Sequence, residues 1–239
     1  MCSSDLGYDE VDGNLTVEPG VITARIQQLA EEKSRAYPVD FASSGSSQIG
    51  GNIATNAGGI RVIKYGLTRN WVAGLKVVTG RGDLLSLNNG LVKNATGYDL
   101  RHLFIGSEGT LGFIVEATIH LARMPGPPTV LLLGVPELGN IPALLALFQS
   151  RVVLSAFEFF SDAALSKVMD HTDKATPFRS RTPYYALLEA DDLGPDGEAV
   201  LLELFEQALS AGICTDGVIS QSQSDVNSLW EYREFISEA

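Results

Sequence analysis

The stretch with the most unusual chemistry is Gly45-Ser-Ser-Gln-Ile-Gly-Gly-Asn-Ile-Ala-Thr-Asn-Ala-Gly-Gly59. Five glycines, two serines, two asparagines and a threonine in 15 residues leave many backbone N–H groups exposed and few side chains in the way. Such a loop can surround a pyrophosphate with main-chain donors, without a lysine or arginine at every contact. The nearest basic residues, Arg61 and Lys64, stand just outside it. No GxxxxGK[ST] lysine is present and no GxGxxG opens a helix after a strand, so neither a P-loop ATPase nor a Rossmann unit is supported. Composition alone leaves a glycine-rich surface turn without a ligand as an equal reading.

A second cluster, Asn94 to Leu100 followed by Leu103 to Val115, has small residues that let backbone approach a flat aromatic ligand. Its run Phe113 to Val115 could form an apolar wall beside that ligand. Near the far end, Val226, Leu229, Trp230 and Ile236 form the buried stripe expected of a helix. Arg233 falls three and four residues after Trp230 and Leu229, on the same face, and Ser237 follows at i+4. A guanidinium turned toward an apolar interior is costly unless an anion meets it, and its planar fork suits a carboxylate. The alternative is a snorkelling surface arginine, or one paired with Glu231 or Glu234.

The elements that must position these groups follow from periodicity. Of 24 glycines, 14 fall in the 68 residues from Gly45 to Gly112, about three times average usage. Ahead of them a strand at 15–18, a turn at Pro19-Gly20 and a helix over 21–34 give a β-α beginning. After the glycine-rich loop come strands at 71–79 and 83–87 joined by Gly80-Arg81-Gly82, a hairpin signal. A short helix near 100–104 and a strand near 113–121 complete this half. Pro125-Gly-Pro-Pro128 breaks both helix and sheet continuity, so the expected boundary is a linker at 124–129 between domains at 1–123 and 130–239. Beyond it the pattern is strand 130–135, helix 141–149, strand 154–160, helix 162–169, strand 184–189, helix 198–211 and strand 213–219. Two β-α-β units in series with an added helix point to a ferredoxin-like α+β sandwich.

Seventeen Lys plus Arg against 29 Asp plus Glu give a net charge of −12, which repels nucleic acid and anionic lipid faces. No apolar run approaches the roughly 20 residues of a membrane span, and Met1 to Leu6 lacks the features of a signal peptide. Two cysteines, Cys2 and Cys214, make neither a disulfide framework nor a four-thiolate site. Arg81-Gly82-Asp83 reads as a hairpin turn rather than an adhesion string. The sequons at Asn14 and Asn94 read as unmodified, and Asp191-Asp192 as a solvated turn rather than a metal pair. His171 reads as exposed, and His120 as either core or surface.

The strings GSSQIGGNIATNAGG, KYG at 64–66, ATGYDLRHLFIGSEGTLGFI, LSAFEFF and LWEYREFISEA together resemble the FAD-linked D-2-hydroxyacid dehydrogenases of the vanillyl-alcohol-oxidase superfamily. That family spans D-2-hydroxyglutarate dehydrogenase, D-lactate dehydrogenase and the flavin subunit of glycolate oxidase. The resemblance runs from about residue 17 to 239. It implies the later part of a PCMH-type FAD-binding domain followed by a substrate, or cap, domain: overall an α+β protein. It implies that FAD runs along Pro38, Ser44, Gly45, Ser46, Ile49, Gly50, Gly51, Asn52, Ala54, Thr55 and Gly58, with the adenine end against Gly112 and Ile114. Gly106, Ser107 and Glu108 shape that turn. It further implies that Arg233 holds the substrate carboxylate, assisted by Ser237 where the family has threonine.

The implied reaction is oxidation of a D-2-hydroxyacid to the 2-oxoacid with hydride passing to N5 of FAD. The electrons then go to an electron-transfer protein, cytochrome or quinone. The family's first pyrophosphate loop is expected upstream of Met1, and its base and metal-binding histidines, with a divalent metal such as zinc, downstream of Ala239. His102, His120 and His171 do not match those histidines. The stretch alone is therefore expected to bind FAD weakly and turn over little. A cytoplasmic location is expected, membrane-peripheral or mitochondrial being variants of it. The different class left open is a non-catalytic flavin-binding protein, or an NADPH-dependent cell-wall-type reductase on a related FAD domain.

Overall fold

The computed structural model describes residues 5–239 except 89, 92, 173 and 192. Cys2 and Asp192, named above, lie outside the described residues. The chain forms two compact units, Met1–Met124 and Pro125–Ala239.

In the first unit, β1 (Asp5–Asp9) and β2 (Asn14–Val17) lead into α1 (Thr23–Glu32), the short β3 (Arg35–Ala36), α2 (Ile49–Thr55) and α3 (Val62–Tyr65). Then come β4 (Val72–Thr79), β5 (Leu84–Leu87), α4 (Arg101–Phe104), β6 (Gly112–His120) and β7 (Ala122–Arg123). An antiparallel sheet of order β1-β2-β6-β4-β5 carries the core. Alternation along the strands turns Leu15, Val17, Leu75, Val77, Ala117 and Ile119 inward, where Ile26, Leu29 and Ala30 of α1 and Ile49 and Ile53 of α2 meet them. The β4–β5 hairpin turns through Arg81-Gly82-Asp83, closed by Gly82 N–H to the Thr79 carbonyl at 2.9 Å.

Besides the short β3, α3 and β7, where no element was expected, three features differ from the sequence reading. The strand β1 is present where none was expected. The glycine-rich stretch is not a continuous loop: Ile49 and Ile53, four apart and fully buried, draw residues 49–55 into a helix despite the two glycines inside it. Residues 213–215 do not extend the last strand, because they close the preceding helix instead. Gly212 (φ 69°) lets the chain turn back, and the Ile213 N–H donates to the Ala208 carbonyl at 2.9 Å.

The second unit is built from β8 (Thr129–Val135), α5 (Asn140–Gln149), β9 (Leu154–Ser161), α6 (Asp162–Thr172), β10 (Tyr184–Ala190), α7 (Gly197–Ser210), β11 (Asp216–Ile219) and α8 (Gln223–Glu234). The antiparallel strand order β11-β8-β10-β9 is the ferredoxin-like one. Leu131, Leu133, Val135, Ala186 and Leu188 pack with Ile141, Leu144 and Phe148 of α5 and Leu201, Leu204 and Ala208 of α7. The intervening positions point to the opposite face, and α8 docks there: Trp230 Nε1 donates to Glu189 of β10 at 2.8 Å. Both faces of the sheet are covered, one more layer than a simple two-layer sandwich.

Cys214 is 1% exposed. Burial first, and the nearby Asp216 carboxylate second, push its thiol up to about 11. The thiolate is the reactive form. In the folded protein near neutral pH, iodoacetamide is expected to alkylate Cys214 about 100-fold more slowly than in urea, as mass spectrometry of the labelled peptide would register.

Candidate functional site

The glycine-rich region is organised by what its helix lacks at either end. At the start of α2, the Ile49 and Gly50 N–H groups donate to the Val21 and Pro19 carbonyls at 2.9 and 2.8 Å. This lays the Pro19-Gly20 turn along the helix. At its end, the Ile53 and Ala54 carbonyls receive the N–H groups of Gly106 and Glu108 at 3.0 and 2.9 Å. Carbonyls in the last turn of a helix lack their full set of intrahelical partners; Ile53 also takes the Asn56 N–H at 3.1 Å, and the added bond pair fixes the 106–109 turn against α2. That turn holds positive φ at Gly106, Glu108 and Gly109 (82°, 51° and 76°).

Between these walls runs a groove of about 640 Å³ lined by Pro19, Gly20, Gln48, Gly50, Gly51, Ala54, Ser107, Glu108, Gly109, Gly112, Phe113 and Ile114. Gly112 is required where it stands, since a Cβ there would lie 2.6 Å from Val77 Cγ1 and 2.8 Å from the Val78 carbonyl. A Cβ on Gly51 would meet nothing within 4 Å. The protein's own packing therefore gives no reason for glycine at 51, whereas a ligand lying against the helix backbone does. Phe113 is 72% exposed on the groove wall, an apolar surface suited to a flat ring. Among the described residues no Lys or Arg lines the groove.

Gly50, Gly51, Ala54, Gly112 and Ile114 of the expected cofactor residues converge on this groove. Ile49 and Asn52 lie beneath it. Ile49 is in the core, and Asn52 Nδ2 donates to Thr23 Oγ1 at 2.7 Å. Thr55 Oγ1 donates back to the Gly51 carbonyl at 3.0 Å. Pro38, Ser44, Gly45, Ser46 and Gly58 do not line it. The backbone amides from Asn52 to Asn56, expected to be free for phosphate, belong instead to the helix and its cap, as in Asn52 N–H to the Gln48 carbonyl at 3.0 Å. Sequence reading assigned no ligand contact to Pro19, Gly20, Gln48 or Gly109. The Pro-Gly turn was visible, but nothing in the sequence ties it to α2.

The first unit holds a second cavity, of about 380 Å³, lined in part by Asn14, Arg69, Arg101, His102 and His120. Its cations serve the fold. Arg101 grips Asp99 with Nε and Nη2 and donates from Nη1 to the Val72 and Ala73 carbonyls, both at 2.7 Å. That guanidinium holds the Asp99 carboxyl below the usual range. Arg69 donates to the Ile105 and His102 carbonyls and to His102 Nδ1. Asn14 is buried, with its amide donating to the Gly90 carbonyl, so its sequon is inaccessible in the folded chain.

In the second unit, α8 starts on Ser222, whose Oγ accepts from Asp225 N–H at 3.2 Å. Its buried side chains are Val226, Leu229, Trp230 and Tyr232, so Tyr232 takes the place in the stripe expected of Ile236, which is only half-buried. Arg233 is 32% exposed and its Nε donates to Glu158 Oε2 of β9 at 2.7 Å. Its acidic partner is thus on a different element from the Glu231 and Glu234 weighed above, and Glu231 pairs with Lys174. Ser237 is exposed, in a 3₁₀ turn after α8, with its hydroxyl donating to the Glu234 carbonyl at 3.2 Å. His171 packs against Phe235. Among the described residues no group of three or more His, Cys, Asp or Glu side chains could hold a metal ion.

Comparison with known families places both units among flavin-linked proteins. The FAD binding domain family matches residues 4–88, and the C-terminal domain of FAD linked oxidases matches residues 125–239. The two matches together take in most of the chain. The chain is 56% identical over 233 residues to a D-2-hydroxyglutarate dehydrogenase of Stutzerimonas stutzeri, covering 98% of this chain and 50% of that protein. It is 51% identical to one of Xanthomonas citri pv. viticola (98% and 49%) and 38% identical to the mitochondrial D-2-hydroxyglutarate dehydrogenase of Bos taurus (98% and 43%). The chain spans about half the length of these curated relatives. Among solved structures, an alkyldihydroxyacetonephosphate synthase superposes with a TM-score of 0.70 over 96% of this chain and 44% of its own, and at 19% identity this speaks to the fold alone.

Gly51→Leu is expected to leave the unfolding free energy unchanged or raised by up to about 1 kcal/mol, because leucine is the better helix former. The same substitution should cost at least tenfold in FAD affinity in the whole protein, read from flavin fluorescence on titration. Trp230→Phe removes the donor to the buried Glu189 carboxylate and is expected to destabilise the second unit by about 1–3 kcal/mol, measured by urea unfolding.

Proposed function

We propose that the whole protein is a flavoenzyme that oxidises a D-2-hydroxyacid of the 2-hydroxyglutarate, lactate or glycolate type to the 2-oxoacid. FAD, when bound, supplies the redox capacity by accepting the hydride. The residues of this chain bind and orient. The groove along α2 takes the cofactor, its pyrophosphate passing Gly50, Gly51 and Ala54 and its adenine end lying against Gly112 and Ile114. Pro38, Ser44, Gly45, Ser46, Ile49, Asn52, Thr55 and Gly58 support that path from beside or below.

Arg233 takes the substrate carboxylate, with the Ser237 hydroxyl assisting from one turn on. The observation that carries this reading is the state of Arg233: it is two-thirds buried, fixed to Glu158 through Nε, and makes no hydrogen bond from Nη1 or Nη2 to the described residues. A planar, half-desolvated pair of donors is matched to a carboxylate.

The ligands of the zinc ion implied by family resemblance are sought outside this chain, and no step here passes through a metal. Electrons leave for an electron-transfer protein, cytochrome or quinone. Among the described residues no helix is long and apolar enough to cross a membrane. A cytoplasmic location, or a mitochondrial one in a eukaryote, belongs to the same proposal. The competing reading, an NADPH-dependent reductase or a non-catalytic flavin protein, gives Arg233 no task.

Dye reduction by the whole protein with D-2-hydroxyglutarate, D-lactate and glycolate, run beside NADPH oxidation, separates these readings. Reduction with a D-2-hydroxyacid and none with NADPH is the expected result, and the reverse would reject the proposal. Arg233→Ala is expected to raise KM for the hydroxyacid about 100-fold, the loss of a charge-assisted bidentate contact of about 3 kcal/mol.

A further inference from the structure

Resting on the reading of Arg233 as the carboxylate clamp, the structure assigns Glu158 as the positioning residue that presents the Nη edge of Arg233 to the substrate. The assignment follows from how α8 is held on the sheet. In the β9–β10 pairing, Glu158 stands opposite Leu187 and Ala156 opposite Glu189. Directly opposed residues of an antiparallel pair share a face, so Glu158 and Glu189 project from the same face, on neighbouring strands and two residue pairs apart.

Two side chains of α8 meet these carboxylates, and they are one helical turn apart. Trp230 Nε1 donates to Glu189 Oε2 at 2.8 Å, and Arg233 Nε to Glu158 Oε2 at 2.7 Å. Ser155 Oγ donates to the other Glu189 oxygen at 2.8 Å. The first contact is buried, with Glu189 1% and Trp230 6% exposed. The second stands at the edge, with Glu158 23% and Arg233 32% exposed. Buried Trp230 thus fixes the rotation of the helix, and Glu158 fixes the direction of the guanidinium at its open end.

The geometry of the contact selects what remains available. A guanidinium can meet a carboxylate through its Nε side or through its Nη1/Nη2 end. Here the Nε side is occupied by Glu158, and among the described residues Nη1 and Nη2 have no hydrogen-bond acceptor. A ligand carboxylate can therefore add to Arg233 without displacing Glu158. An arginine without this partner would spread over several rotamers, and ordering it on binding would weaken affinity. A counterion that had to be displaced would act in the opposite direction, so the sign of the effect separates positioning from blocking.

The test uses the whole protein with FAD, in the wild-type, Glu158→Ala, Glu158→Gln, Glu158→Asp and Arg233→Ala forms. KM and kcat are measured with D-2-hydroxyglutarate, and the Kd of 2-oxoglutarate by calorimetry. D-lactate and D-lactamide are compared to report on the carboxylate itself. Glu158→Ala is expected to raise KM and Kd about tenfold, with the larger change in KM rather than kcat, and to shrink the preference for D-lactate over D-lactamide. Glu158→Asp and Glu158→Gln, which keep an acceptor, should recover part of the affinity. Where the alanine variant fails to fold, the glutamine variant is judged by the same split.

Unchanged or lowered KM and Kd in the Glu158 variants, with Arg233→Ala strongly impaired, would overturn the positioning role alone. An Arg233→Ala protein that binds and turns over normally would instead overturn the clamp reading, and the role of Glu158 with it.

Discussion

The candidate cofactor groove depends on two backbone hydrogen bonds, from Gly106 and Glu108 N–H to the last-turn carbonyls of α2. The Ile53 carbonyl is shared with the Asn56 N–H at 3.1 Å, the Ala54 carbonyl lies beyond the last intrahelical donor, and a buried carbonyl left unmet costs about 1–3 kcal/mol. Meeting them requires a tight turn with positive φ at three of its four residues, two of them glycine. The turn in turn aims β6 so that Gly112, Phe113 and Ile114 face the helix across the groove. One requirement of helix termination thus brings together segments about 50 residues apart in sequence, and no side-chain chemistry is needed to do it.

The second unit solves a different problem by similar economy. Its sheet is apolar on both faces, and one face is interrupted by Glu189 and Glu158. Buried carboxylates are costly unless hydrogen-bonded, and Glu189 is met by Ser155 and Trp230. Those bonds locate α8 on the sheet more specifically than apolar packing would, since leucine-to-leucine contacts tolerate sliding whereas a Trp N–H to a carboxylate does not. Arg233 inherits its position from that docking. Lys174 adds a further tie, donating to the Ser228 carbonyl and hydroxyl at 3.2 and 3.0 Å.

Much of this was legible in the sequence, and the exceptions share a cause. The strands and helices of the second unit follow from strong apolar periodicity, and their antiparallel ferredoxin-like order follows from their succession. The Arg81-Gly82-Asp83 hairpin was readable from its glycines. The helix α2 was not, because Gly50 and Gly51 lower helix propensity locally and the burial of Ile49 and Ile53 that overrides it is a tertiary effect. For the same reason the amides of residues 52–56 looked available when they are hydrogen-bonded within the helix and its cap. Glu158 was unremarkable in sequence, since its pairing with Arg233 spans 75 positions and depends on strand register. Pro19 enters the groove through the Gly50 N–H bond to its carbonyl and Gln48 through its β-bridge with Ile22, pairings that carry no local signal.

The most direct test is amide hydrogen exchange on the whole protein with and without FAD. The account predicts that FAD slows exchange in the peptides covering residues 48–54 and 106–114, the two sides of the groove, and leaves the α5 and α7 layer of the second unit unaltered. Tight FAD binding with no added protection in either of those two peptides would contradict it.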